Sequence, residues 1–257
     1  MNSIEQLKKL FGNKVLFVDL YEIEEKNTIS LVFLKQLQSL FDQVENESKT
    51  KVVVLYSSSE KFCLGMDFQE VSLSDSESDV IKKSSKDYFE LLKKMTIFPK
   101  VIISVVTGSV NAGGVGLMAA SDIVIADVHS TFSLSEVLFD LIPACVLPYL
   151  IRRVGFQNAQ WMAMTAQTIC SEKASKMRLI DDQSPNTSDL LRRYLLRFVK
   201  SNNYTIKQLK EYLSELYLIT EHTQEKALLR LHTITKNKDV YNNIKSFVSE
   251  GVYPWEK

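Results

Sequence analysis

Cysteine, glycine and long apolar runs are scarce in this chain of 257 residues. The shortage of cysteine and the shortage of long apolar runs each exclude classes of protein. The three cysteines, Cys63, Cys145 and Cys170, stand far apart and form no CxxC pair. An odd, scattered set favours neither a disulfide framework nor a zinc site, so we expect reduced thiols in a cytoplasmic protein. No apolar run is long enough to span a bilayer, and the first twelve residues lack the pattern of a secretory signal.

Neither sign of charge dominates, because 31 basic residues are balanced by 31 acidic residues. A neutral chain has no electrostatic footprint for nucleic acid or for an anionic membrane, so we expect neither as a partner. His129, His222 and His232 lie apart from one another, which disfavours a metal site or a serine–histidine triad. With 45% apolar residues, a chain of this length can bury one sizeable core.

Glycine is the most informative of the scarce residues. Five of the eight lie in two short segments, residues 61–67 (KFCLGMD) and 108–116 (GSVNAGGVG). Each segment follows an apolar run that is typical of a buried strand, residues 51–56 and 101–106. Two turns at the ends of parallel strands can aim two backbone N–H groups at one oxygen, which is the geometry of an oxyanion hole. Taken alone, either turn more often serves tight strand-to-helix packing, and neither has the spacing of a phosphate-binding loop.

Strand and helix patterns alternate through most of the chain. Residues 29–44 predict an amphipathic helix, which Asn27 or Thr28 can cap, and the acidic, serine-rich residues 72–78 predict a mobile connection. Further strands are predicted at residues 14–21, 123–126 and 131–133, and further helices at residues 79–95, 188–200, 205–217 and 223–235. Strands separated by helices indicate an α/β protein built from parallel units.

Five segments, in this order, resemble motifs of the crotonase (enoyl-CoA hydratase/isomerase) superfamily. They are residues 62–68 (FCLGMDF), 108–127 (GSVNAGGVGLMAASDIVIAD), 131–143 (TFSLSEVLFDLIP), 151–155 (IRRVG) and 169–181 (ICSEKASKMRLID), the last with Arg178 where glycine is usual. The resemblance implies an α/β crotonase fold, with repeated ββα units in a spiral core over residues 1–187. It also implies a helical region over residues 188–257 that covers the acyl site and forms the contacts of a homotrimer, or of a hexamer.

A narrower resemblance rests on two further segments. Residues 110–155, which include IPACVLPYLIRR, and the terminal YPWE at residues 253–256 are similar to the free-standing dehydratases of polyketide β-branching cassettes. That subgroup converts 3-hydroxy-3-methylglutaryl groups on acyl carrier protein to 3-methylglutaconyl groups. The resemblance therefore implies a hydro-lyase with acyl carrier protein as its partner and no cofactor. Its substrate would be carried on phosphopantetheine, or alternatively on coenzyme A.

The resemblance also assigns roles to individual residues. It places the oxyanion-hole donors at the backbone N–H groups of Leu64 and Gly113, and the catalytic carboxylate at Glu136. Burial beside apolar neighbours is expected to raise the pKa of Glu136 towards neutrality. Asn111 can orient water or the substrate hydroxyl, although such a residue more often serves the local backbone. Gly116 stands where general hydratases carry a further catalytic glutamate, so two-carboxylate hydration is not expected.

Two other classes of function stay open. A decarboxylase or an isomerase/hydratase of the same fold, acting on an enoyl thioester of carrier protein or coenzyme A, can also work with one glutamate above an enolate hole. A binding protein with a crotonase fold and no activity is the other alternative. It is disfavoured because both glycine-rich turns occur together with Glu136.

Overall fold

The computed structural model describes residues 3–73, 77–216 and 219–256. Within these ranges lie nine strands: β1 (Val15–Asp19), β2 (Val52–Tyr56), β3 (Lys61–Cys63), β4 (Val101–Val106), β5 (Ser109–Asn111), β6 (Ile123–Ala126), β7 (Thr131–Ser133), β8 (Ile169–Cys170) and β9 (Asp182–Gln183). The helices are α1 (Ser3–Phe11), α2 (Leu20–Ile23), α3 (Leu31–Glu45), α4 (Phe68–Ser72), α5 (Glu77–Ile97), α6 (Gly113–Ala120), α7 (Leu147–Thr165), α8 (Ser171–Lys176), α9 (Thr187–Phe198), α10 (Asn203–Leu216), α11 (Glu221–Thr235) and α12 (Lys238–Glu250). Short 3₁₀ helices cover Gly12–Lys14, Glu136–Phe139 and Pro254–Glu256.

The strands form two sheets, and the chain passes from one sheet to the other in a repeating pattern. The larger sheet has the order β1-β2-β4-β6-β9 and is parallel throughout. The smaller sheet has the order β3-β5-β7-β8, and only β8 runs antiparallel to its neighbour. In the pairs β2–β3, β4–β5 and β6–β7, the first strand joins the larger sheet and the second joins the smaller one. Helical segments follow each pair, which confirms the predicted spiral of ββα units.

The central strands are almost entirely apolar because both faces of the larger sheet are covered. Every residue of β2 and β4 is buried. Alternate residues point to opposite sides. On one side, Val53, Leu55 and Ile102 join the main core, whereas Val52 and Val54 on the other side pack in a second cluster with residues of α1 and α9. Continuous apolar runs of this kind are typical of parallel strands that are buried on both faces.

Two local expectations were wrong in detail, and a third falls largely outside the described residues. The predicted strand over residues 14–21 ends at Asp19, because the Asp19 carboxylate accepts a hydrogen bond from the Tyr21 N–H and starts α2. The cap of α3 is Ser30, whose hydroxyl accepts from the Phe33 N–H at 3.1 Å. Asn27 instead has a positive φ of 54° and a buried side chain. Residues 74–76, the middle of the predicted mobile connection, lie outside the described residues, while Ser72 ends α4 and residue 77 begins α5.

The helices of the C-terminal region pack onto the core. Helices α10 and α11 contact α5, and α12 contacts α4. The buried ammonium of Lys210 on α10 pairs with Asp122 at 2.7 Å and donates to the carbonyls of Met95 and Lys100 at 3.1 and 3.2 Å. This cluster fixes α10 against the end of α5. The division of the chain at residue 187 stays a prediction.

Two further observations bear on sequence-based expectations. Arg178, which stands where the superfamily usually has glycine, adopts a positive φ of 63°, so the left-handed turn is kept without the glycine. Across the ranges described, no helix combines the length and apolarity needed to cross a membrane.

Candidate active site

A cavity of about 620 Å³ lies where the turns after β3 and β5 meet the 3₁₀ helix after β7. Helix α5 forms one wall, and the C-terminal segment borders the cavity as well. The four candidate site residues, Leu64, Asn111, Gly113 and Glu136, all line this one cavity. The fold therefore brings together side chains and amides from three separate ββα units.

The first turn presents a different amide from the predicted one. The N–H of Leu64 donates a 2.8 Å hydrogen bond to the carbonyl of Asn27, so it is not free to bind a substrate oxygen. The prediction of Leu64 as an oxyanion-hole donor is therefore wrong. The adjoining pairing uses the Gly65 carbonyl and the Asp67 N–H, both bonded to Ile29.

Met66 is the residue between those two bonded groups. In a parallel pairing of this kind, the Gly65 carbonyl and the Asp67 N–H point to Ile29, and the N–H of Met66, which lies trans to the Gly65 carbonyl, points to the opposite side of the chain. Within the described residues that N–H has no hydrogen-bond partner, and Met66 lines the cavity. The geometry makes Met66 the donor that the first turn offers.

The second turn places Gly113 at the cavity, and its role as a donor stays a prediction. Gly113 is the first residue of α6, where backbone N–H groups have no partner inside the helix. The preceding residue, Ala112, has φ of 50° and ψ of −121°, a strained conformation for a residue with a Cβ atom. Its own N–H donates to the Ser133 carbonyl at 3.1 Å, which ties the turn to the end of β7.

The two turns touch each other at Gly65. A Cβ atom placed on Gly65 would lie 2.7 Å from the Ala112 Cβ and 3.1 Å from the Gly113 nitrogen, and Gly65 has a positive φ of 88°. Glycine is therefore required here both for backbone conformation and for space. This contact sets the first turn directly against the amide of Gly113.

Glu136 supplies a buried carboxylate. It is the first residue of the 3₁₀ helix, and although the residue as a whole is partly exposed, its Oε2 atom has no solvent contact. That oxygen also has no hydrogen-bond partner among the described residues. Burial raises the pKa of Glu136 to about 7 from the ordinary 4.5. A carboxyl group with such a pKa can accept a proton and return it near neutral pH.

Asn111 is held between two serines. Its side-chain nitrogen donates to the Ser135 hydroxyl at 2.8 Å, and its side-chain oxygen accepts from the Ser133 hydroxyl at 2.9 Å. These bonds fix the orientation of the amide at the cavity wall. An orienting role for Asn111 stays a prediction.

Tyr88 of α5 fills the space beside Gly116. A Cβ atom on Gly116 would lie 2.0 Å from the Tyr88 hydroxyl oxygen and 3.2 Å from the adjacent ring carbon. The hydroxyl donates a short hydrogen bond to the carbonyl of Gly113. Burial raises the pKa of Tyr88 well above 10, so the hydroxyl keeps its proton and remains a donor. Tyr88 thereby braces the start of α6 and leaves no room for a side chain at residue 116.

The mouth of the cavity is aromatic. Tyr253 and Trp255 stack with ring centroids 4.6 Å apart, and Phe139 lies 6.3 and 6.4 Å from them. Phe247 of α12 packs against Phe139 at 5.2 Å and against Tyr253 at 5.0 Å. The C-terminal segment thus contributes side chains to the cavity, as the resemblance implied for the covering region.

The remaining polar candidates do not form a second site. In the residues that the structure covers, no group of three His, Cys, Asp or Glu side chains is arranged to hold a metal ion. Burial raises the pKa of Cys63 and Cys145 to about 12, so both thiols stay protonated. Asp67 caps α4, since its carboxylate accepts from the N–H groups of Gln69 and Glu70.

With this geometry in hand, comparison with known proteins identifies the family. The sequence model of the enoyl-CoA hydratase/isomerase family matches residues 11–257. The chain belongs to the enoyl-CoA hydratase/isomerase family.

Individual relatives differ in how similar they are. The bacillaene synthase dehydratase PksH of Bacillus subtilis (strain 168) is 36% identical over 260 residues, which cover 99% of this chain and 98% of PksH. A crystal structure of the Bacillus subtilis PksH superposes with a TM-score of 0.83 at 34% identity, covering 93% of this chain and 94% of that one. The 2,3-dehydroadipyl-CoA hydratase of Escherichia coli (strain K12) is 24% identical over 92% of this chain and 93% of the hydratase.

Sequence reasoning missed two residues that shape the cavity. Met66 was overlooked although it directly follows Gly65, whose positive φ redirects the chain between Leu64 and Met66. For Tyr88, the one signal was a glycine inside a helix at residue 116, which indicates a close neighbour but not which residue it is.

Proposed function

We propose that this protein eliminates water from 3-hydroxy-3-methylglutaryl-acyl carrier protein to give 3-methylglutaconyl-acyl carrier protein in polyketide β-branching. The similarity to a dehydratase of bacillaene synthase over nearly the whole of both chains supports this class of reaction. The observation that carries the proposal is the hydroxyl of Tyr88 in the place of a side chain at residue 116. Since general hydratases carry a catalytic glutamate at that position, a single carboxylate is left for the chemistry.

The proposed oxyanion hole consists of the N–H groups of Met66 and Gly113. The thioester carbonyl accepts hydrogen bonds from both, and each strengthens as negative charge develops on the oxygen. A thioester α-proton is too weakly acidic to be removed without such stabilisation, and one donor of this kind lowers a barrier by about 3 kcal/mol. The hydrogen bond from Tyr88 to the Gly113 carbonyl holds this part of α6 in place.

Glu136 is the proposed acid and base. Its carboxylate removes the proton from C2, which leaves an enolate whose oxygen sits in the hole. The electron pair then forms the C2–C3 double bond, the C3–oxygen bond breaks, and the carboxyl group returns its proton to the departing hydroxyl. One water leaves and Glu136 ends as it began, a carboxylate. A pKa of about 7 suits both halves of this cycle.

Acyl carrier protein is the proposed partner, because the relative PksH is described as part of bacillaene synthase. The substrate is then tethered through phosphopantetheine, and no other cofactor takes part. We also propose a cytoplasmic enzyme that assembles as a homotrimer or as a hexamer, in line with the superfamily resemblance.

The direct test is incubation with 3-hydroxy-3-methylglutaryl-acyl carrier protein, followed by intact-protein mass spectrometry. We expect the loss of one water from the loaded carrier, and no such loss with Glu136→Gln. Loss of carbon dioxide from the 3-methylglutaconyl carrier would establish the decarboxylase alternative instead. With the 3-methylglutaconyl carrier supplied as the substrate instead, a shift of its double bond without change in mass, seen by chromatography, would establish the isomerase.

A further inference from the structure

Ser85 is an unexplained polar residue in the cavity wall. It lies on α5, lines the cavity, and is 4% exposed. Its hydroxyl oxygen is buried and has no hydrogen-bond partner among the described residues. The neighbouring Ser84, also buried, donates to the Ile81 carbonyl at 3.2 Å. An unsatisfied buried hydroxyl is costly, so its presence at a binding cavity points to a partner that arrives with the ligand.

The position of Ser85 connects it to the reacting groups. Ser85 and Tyr88 are three residues apart on α5 and therefore lie on the same face of the helix. The thiol of Cys145 donates a weak 3.8 Å hydrogen bond to the Ser85 carbonyl. Cys145 lines the same cavity as Glu136, and burial, together with the charge on Glu136, raises the pKa of its thiol. Ser85 thus borders the same inner part of the cavity as Glu136.

The surrounding charges favour a neutral partner for this hydroxyl. Among the described residues that line the cavity, Lys26 alone carries a positive charge. Its ammonium already contacts Asp67 at 3.4 Å and Gln69 at 2.9 Å. A carboxylate placed beside Ser85 would be buried with Glu136 and without a cation of its own, which is unfavourable. An alcohol carries no such penalty.

We propose that Ser85 hydrogen-bonds the 3-hydroxyl of the acyl group and so selects 3-hydroxyacyl thioesters over acyl groups that lack the hydroxyl. This proposal rests on the proposed function and adds to it a residue that recognises the leaving group. Ser85 holds the oxygen before elimination, and Glu136 protonates it. The contact is made by substrate and lost with the departing water.

The test compares the affinities of three pantetheine thioesters in the inactive Glu136→Gln background, with and without Ser85→Ala. The probes are 3-hydroxy-3-methylglutaryl, 3-methylglutaryl, which lacks only the hydroxyl, and 3-hydroxy-3-methylbutyryl, which lacks only the carboxylate. We expect Ser85→Ala to weaken binding of both hydroxylated probes by about fivefold, the size of one neutral hydrogen bond, and to leave 3-methylglutaryl unchanged. Ser84→Ala is the matched control and should change none of the three.

Three results would overturn the proposal. Weaker binding of both glutaryl probes alone would mean that Ser85 contacts the carboxylate, and equal affinities throughout would mean that it contacts no ligand. The melting temperature tests whether Ser85 has a purely structural role. Removing an unsatisfied hydroxyl should not lower the melting temperature. A lower melting temperature together with weaker binding of all three probes would show that Ser85 only supports the cavity wall. Turnover by the unmodified protein tests the proposed function separately, since the affinity series uses an inactive background.

Discussion

The inner part and the mouth of the cavity are built in contrasting ways. The inner part consists of two turns and one carboxylate, held by the contact of Gly65 with Ala112 and by the bond from Tyr88 to Gly113. The mouth consists of aromatic side chains from the end of the chain, and Trp255 there is 56% exposed. The inner groups are positioned to respond to charge in a transition state, whereas the rings offer surface that contacts substrate and transition state alike. Substitutions in the two parts should therefore change different kinetic constants.

The largest effect is expected from Glu136→Gln. Glutamine keeps the size of the side chain but cannot take a proton, so kcat should fall at least about a hundredfold with KM nearly unchanged. Steady-state kinetics with the loaded carrier protein measures this. Asn111→Ala should be milder, because its amide orients groups and transfers no proton, and Glu172→Gln, on an exposed residue, is the control. Near-normal turnover by Glu136→Gln would place the proton transfer elsewhere.

The raised pKa of Glu136 also predicts how stability depends on pH. The folded protein holds this proton up to a pH of about 7, whereas the unfolded chain releases it near pH 4.5. Stability contributed by the protonated carboxyl is therefore present below pH 4.5 and is lost as the pH rises to about 7. The free energy of unfolding of the Glu136→Gln variant, relative to that of the unmodified protein, should therefore rise by about 2–3 kcal/mol from pH 4 to pH 8.

Urea denaturation of both proteins at the two pH values measures this gain. Glu172→Gln should show no comparable change, since the Glu172 carboxylate is exposed. The raised pKa of Glu136 also predicts that kcat/KM of the unmodified protein increases as the pH rises through about 7, because the carboxylate form of Glu136 becomes populated. A Glu136→Gln difference that is constant with pH would contradict a raised pKa.

A smaller effect is expected at the contact between α5 and α6. Gly116→Ala would place a methyl group against the Tyr88 hydroxyl, so the ring must move and its bond to the Gly113 carbonyl is lost. Overpacking of this kind costs about 1–3 kcal/mol in free energy of unfolding. Tyr88→Phe removes the clashing oxygen, and the double variant should therefore be less destabilised than the two single changes predict together. Additive changes in thermal or urea unfolding would show that the two residues do not share this space.

The smallest effect is expected at the mouth. Trp255→Ala removes ring surface that stacks on Tyr253, and KM should rise about fivefold while kcat stays within about twofold. Trp161 contacts Lys173 and is not part of the cavity wall, so Trp161→Phe is the matched control. A fall in kcat equal to the rise in KM would mean that the mouth also acts in the transition state, which would remove the contrast between the two parts.

The two turns at the cavity differ in how far sequence reasoning reached. The resemblance names Gly113 at the second turn, and the structure places it at the start of α6, where backbone N–H groups have no partner inside the helix. At the first turn the choice between Leu64 and Met66 depends on which amide is bonded to Asn27 or Ile29, residues more than thirty positions earlier. Local sequence carries no information on that pairing.

The sequence by itself determined the α/β class and the central strands that are buried on both faces, through apolar periodicity. Through the resemblance of its motifs it also determined the family and the joint placement of Asn111, Gly113 and Glu136. Only the tertiary structure decided that Met66, and not Leu64, has the free N–H of the first turn, that Tyr88 occupies the space beside Gly116, and that the Oε2 atom of Glu136 has no hydrogen-bond partner among the described residues. Each of these depends on contacts between elements that are distant along the chain. Such contacts exist only once the two sheets and α5 have packed, so the chemistry of the cavity is a property of the packed core.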